Sequence, residues 1–209
     1  AKQLLASTLF QVSRRLGTAV LAQQQPRNPR WQAMRKKALE NLTKGFSYDK
    51  SNGDAYTLFA RLHSLPGGNK EKAREAANQA IDLFEEDKRK KADALLLRAG
   101  LQTDNQKQLS DVDKAIETDP ENVAGWQLRA IYYFQNNDIP KGITNLEKVL
   151  ELDPKNVTAL QQLATAYFST EKEDQGREKL DQIVELQPEI GYPLRSRYFQ
   201  SQGDITKAI

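Results

Sequence analysis

The chain has 209 residues, 38% of them apolar and 28% charged, with a formal net charge of +3 and no cysteine. Disulfides and thiolate metal sites are excluded, and a single histidine, His63, removes the usual histidine-based catalytic and metal constellations. No apolar run approaches the roughly 18 to 20 residues that cross a membrane, so no membrane span is expected in this segment. A cysteine-free chain suits oxidising and reducing compartments alike, and localisation stays unknown.

The charge is uneven. Residues 1–50 hold ten Lys and Arg against two acids, a net +8, while the remaining 21 bases and 26 acids give −5. Such a basic third can meet an acidic partner, nucleic acid or an anionic membrane. Arg35, Lys36 and Lys37 nevertheless fit a solvated helix face, and no nucleic-acid partner is expected. The chain opens on Ala1 rather than methionine, which is compatible with removal of a leading segment.

Residues 1–22 predict a helix whose buried stripe is Leu5, Leu9, Val12, Leu16 and Ala19 or Val20, widened by Leu4, Phe10 and Leu21. QQQPRNPR at 23–30 breaks it with two prolines. A second helix from about Trp31 to Gly45 puts Trp31, Met34, Ala38, Leu42 and Phe46 on one face. From Gly53 onward apolar residues keep recurring at spacings of three and four, with no strand-like alternation, so the fold class is all-α. The turn LPGGN at 65–69 has glycines, and Lys70 follows, but it lacks the spacing of a phosphate loop and follows a helix. QAIDLFEED at 79–87 has Glu85 where later blocks have proline, which predicts a helix running on toward the next one.

Two consecutive blocks of 34 residues then share one layout, with Pro120, Pro154 and Pro188 in register. Their ends read KAIETDPEN, KVLELDPKN and QIVELQPEI, each an apolar helical tail stopped by a proline. An internal repeat of this period outranks other signals. The blocks resemble tetratricopeptide repeats, and the resemblance implies a right-handed superhelix of stacked antiparallel helix pairs. The array would run over 53–88, 89–122, 123–156 and 157–190, with a partial unit at 189–209 turning at QGD, 202–204. Residues 1–52 are either a degenerate first pair with a long proline-containing loop or an unrelated cap.

In that register Trp126 is the strongest single match, His63 falls at an aromatic packing position, and Arg129 and Gly142 depart from the leucine and alanine usual there. The family's usual work is binding proteins, with the first helix of each pair lining a concave groove. Its groove positions map here to Arg61, then Asp93 and Leu97, then Gln127, Ile131 and Phe134, then Gln161, Thr165 and Phe168, and finally Arg197. Phe134 and Phe168 would form an apolar row, or else pack into the array. The lysine and asparagine clamp that one subgroup uses for a terminal carboxylate is missing, since Thr57, Arg61, Asp93, Ala94, Gln127 and Leu128 stand at its positions.

The resemblance therefore implies a non-catalytic scaffold for a protein or peptide partner, with no cofactor and no catalytic or metal residues. The alternative is an assembly module within a larger protein or between copies. The sequence stops about five residues into a second helix of the last unit, so a longer array or a covered end is expected. Self-association would then use the C-terminal end, where Leu180, Ile183 and Val184 are expected near an exposed side.

Overall fold

The computed structural model describes residues 1–23 and 25–201, and among them it contains eleven α-helices and no strand. The chain divides into two compact units, Ala1–Pro120 and Glu121–Ile209. The first holds the pairs α1 (Lys2–Gln23) with α2 (Pro29–Phe46), α3 (Gly53–Ser64) with α4 (Lys70–Leu83), and α5 (Lys88–Ala99) with α6 (Asn105–Thr118). The second holds α7 (Val123–Gln135) with α8 (Ile139–Leu152), α9 (Val157–Ser169) with α10 (Glu173–Leu186), and α11 (Pro188–Ser201) packed on α10. No described helix is long and apolar enough to cross a membrane. The QGD turn and the expected second helix of the last unit lie outside the described residues.

Helix starts are written in the sequence as asparagines and aspartates. Asn28, Asn52, Asn69, Asp87, Asp104, Asn122, Asp138 and Asn156 each cap a helix, their side-chain oxygens accepting backbone N–H bonds from the first turn. Each such cap stabilises by about 1 kcal/mol. One of them corrects the expectation of a continuous helix through 85. Helix α4 ends at Leu83, the buried Phe84 takes a non-helical conformation, and Asp87 starts α5 afresh.

The buried face of α1 agrees with the expected one at Phe10 and Val20 and differs elsewhere. Ala6, Phe10, Ser13, Gly17 and Val20 are buried, whereas Leu4, Leu5 and Val12 are exposed. The stripe is set by small residues, which let α1 approach its neighbours closely. The Ser13 hydroxyl lies within hydrogen-bonding distance of both the Leu9 and the Ala38 carbonyl, and a Cβ added at Gly17 would lie 2.7 Å from Leu58 of α3. Hydropathy alone scores serine and glycine as outward, so it rotates the helix the wrong way.

Aromatic rings close three of the pairs. A Cβ placed on Gly45, Gly142 or Gly176 would collide with the ring of Phe10, Phe134 or Phe168 respectively, each on the other helix of the same pair. Gly142 is thus a seat for a ring, and its helix-propensity cost of about 1 kcal/mol is offset by that contact. At the other end of the second unit, Leu180 and Ile183 are buried with Leu194 and Tyr198 of α11 packed against them. The expected apolar patch there is covered by α11.

Candidate partner-binding groove

In the first unit the first helices of the three pairs, α1, α3 and α5, open a groove of about 790 Å³. Its apolar floor is built from Phe10, Leu58 and Phe84, which pack closely on Gly45, Gly17 and Gly53 respectively. Charged side chains of both signs stand over that floor: Arg14 from α1, Asp54 and Arg61 from α3, and Lys90 and Asp93 from α5. Lys90 is partly neutralised, because its ammonium lies 3.0 Å from Asp54 and 3.8 Å from Asp87. The hydrogen bond and charge of Asp54 hold that ammonium above its ordinary range. Asp49 at the rim accepts bonds from the Ser51 backbone N–H and hydroxyl, which keep its carboxyl below the usual carboxylate range.

Of the residues expected in the groove, Arg61 and Asp93 are brought together here, both exposed. Leu97 is half-buried and packs against Ala60, Ala76 and Ala77 inside the unit. The contribution of α1 was not anticipated: Ser7, Gln11, Arg14 and Thr18 line the same groove. Their spacing of four, three and four is itself a helical stripe, and it is the signal that could have found them.

In the second unit Gln127 and Ile131 are half-buried on α7, and Gln161 and Thr165 are exposed on α9. The Gln127 amide is partly committed, since it donates to Asn156 Oδ1 at 3.3 Å while that oxygen also caps α9 at Ala159. The Thr165 hydroxyl turns back to the Gln161 carbonyl at 3.0 Å. Phe134 and Phe168 are half-buried in their glycine seats, and Tyr198 stacks on Phe168 with ring centroids 3.9 Å apart. Arg197 is exposed on α11.

Three further residues singled out in the sequence find a local physical role. His63 packs on Phe59 at 4.5 Å and its Nδ1 accepts from the Asn69 N–H at 3.4 Å; burial, with the nearby Lys72 and Arg35, lowers its pKa. Arg129, standing where leucine is usual, donates to the buried Asn145 at 2.7 Å and lies 4.5 Å from the Trp126 ring centroid. Trp126 itself is only half-buried. No group of three or more His, Asp or Glu is placed to hold a metal among the described residues.

The model of the tetratricopeptide repeat family matches residues 123–156. No curated relative matches the sequence. Among solved structures, PilF of Pseudomonas aeruginosa is similar at 17% identity with a TM-score of 0.73, over 99% of this chain and 88% of that one. The C-terminal part of a repeat protein from Cytophaga hutchinsonii is similar at 15% identity and a TM-score of 0.68, over 99% and 91%. YrrB, described as a TPR protein with an unusual peptide-binding site, is similar at 16% identity and a TM-score of 0.59, over 78% and 84%. With the helix-pair architecture, these likenesses identify the chain as a helical-repeat protein of the tetratricopeptide fold, residues 123–156 matching the family's own pattern.

Proposed function

We propose that the chain is a non-catalytic interaction scaffold that holds a peptide segment or a surface of a partner protein against its first helices. The observation that carries this reading is the groove between α1, α3 and α5, where Arg14 and Arg61 stand with Asp93 over an apolar floor. An apolar body with a few placed charges is the composition that orients a ligand as well as holding it. Arg61 and Asp93 read opposite charges on the bound segment. In the second unit the contacts come from Gln127, Ile131, Gln161 and Thr165, with Arg197 beyond them. Phe134 and Phe168 add only what their glycine seats leave exposed. The peptide-binding site named for YrrB gives this reading a precedent in the same fold.

Photo-crosslinking in the native cell tests the proposal. A benzophenone side chain at Arg61 or Gln161 should capture a discrete partner protein identifiable by mass spectrometry, while the same group at the exposed Glu117 of α6 should not. Capture from Glu117 alone, with nothing from Arg61 or Gln161, would move the interaction off the groove.

A further inference from the structure

A second concavity in the first unit, sharing no lining residue with the groove, lies between α2 and the turn joining α3 to α4, with a volume of about 1030 Å³. Its walls are largely apolar, with Leu39 from α2 and Phe59 from α3 half-buried and facing it. One end is stapled shut. The Arg35 guanidinium donates to the carbonyls of Leu62, Leu65 and Pro66 at 3.0, 3.4 and 2.8 Å, tying α2 to the turn. That staple explains the glycines of LPGGN. Gly67 has φ +73°, and any Cβ on Gly68 would meet both the His63 carbonyl and the Arg35 guanidinium.

The rim is basic. Lys36 and Lys44 of α2 and Lys72 of α4 line the cleft, all exposed and none joined to a carboxylate among the described residues. The acid on the rim, Glu40, lies 4.0 Å from Lys37 outside the cleft. Three cations against one rim carboxylate, around an apolar wall, describe a ligand of net negative charge with an apolar core.

We propose that this cleft docks an acidic segment of a partner protein, in which carboxylates flank a leucine or an aromatic side chain. The apolar side chain rests between Leu39 and Phe59, and the carboxylates meet the lysines. Lys36 and Lys44 are separated by roughly 12 Å along the helix axis at 1.5 Å per residue. An extended strand covers that distance in about four residues, so the segment carries two acids about four residues apart with the apolar anchor between them. A nucleic-acid backbone would satisfy the lysines but leave the apolar wall unfilled. The site is separate from the groove of α1, α3 and α5, and the two can be tested apart.

The probe is a phage-displayed library of short random peptides selected on the intact chain, with affinities of the recovered peptides measured by fluorescence anisotropy. Selection should enrich Asp or Glu around Leu, Phe or Trp. The dissociation constant should rise roughly tenfold or more in Lys44→Glu/Lys72→Glu and stay unchanged in Arg14→Glu/Arg61→Glu. Both lysines are exposed, and melting curves by circular dichroism verify that the variant folds. The proposal is overturned if no acidic peptide is enriched, if the enriched peptides ignore the lysine reversals, or if they respond to the Arg14 and Arg61 reversals instead. It is equally overturned if a single-stranded oligodeoxythymidine binds in a Lys44- and Lys72-dependent way and no peptide does.

Discussion

In the pair α1–α2 a fully buried tryptophan seals the joint between the helices, whereas in the pair α7–α8 the tryptophan is only half-buried and packs against the edge of the core. Trp31 is 3% exposed and its indole N–H donates to the Val20 carbonyl at 2.8 Å. Trp126 is half-buried beside Arg129, which bonds to Asn145. What the two pairs have in common is less conspicuous: Phe10 on Gly45 in one, Phe134 on Gly142 in the other. The pairs therefore close by the same device, a ring seated on a helix that lacks a side chain there. A large residue at a position that fits the repeat pattern is not by itself the residue that holds the pair.

The largest expected effect separates the two tryptophans. Trp31→Ala should cost about 3 to 5 kcal/mol, because it removes a fully buried ring and orphans the Val20 carbonyl. Trp126→Ala should cost clearly less, about 1 to 2 kcal/mol, for a ring that is only partly buried and has a cation beside it. Urea unfolding followed by circular dichroism gives both numbers. Equal losses would erase the distinction between the pairs.

A smaller effect comes from the tight turns that α7–α8 and α9–α10 carry and α1–α2 lacks. Asn137 and Glu171, at equivalent places in the two turns, both have φ of 59°. Asparagine adopts this left-handed conformation readily and glutamate only at a cost, so Glu171→Gly should stabilise by about 1 kcal/mol while Asn137→Gly should change little. Thermal melting of the two variants side by side measures the difference. Destabilisation by Glu171→Gly would mean that the side chain supplies something the turn requires.

These comparisons also show what the sequence could carry. Most helices from 53 to 190 were legible because apolar spacing and three prolines in register are local signals that agree, while the break between α4 and α5, which has no proline, was missed. The face of α1 was not, because Ala6, Ser13 and Gly17 are buried for being small, a property that hydropathy does not record. Arg129 looked like a departure from a leucine position, and its reason, Asn145, lies on the facing helix. The groove was half legible. Arg61 and Asp93 follow from repeat register, while Arg14 enters only once α1 is placed beside α3. Phe134 and Phe168 had two placements open, and the seats at Gly142 and Gly176 put their rings within the pairs.

The ring-on-glycine joint is the claim on which the rest depends, since it fixes which residues are spent on the fold and which are left for a partner. A double-mutant cycle at Phe134 and Gly142 tests it most directly. Gly142→Ala alone should destabilise by about 1 to 2 kcal/mol, overpacking outweighing the gain of about 1 kcal/mol in helix propensity. In a Phe134→Leu background the same change should cost little or even stabilise, giving a coupling of about 1 kcal/mol or more. If the two substitutions instead add to within about 0.3 to 0.5 kcal/mol, the ring does not sit on the glycine, and Phe134 returns to the list of groove residues.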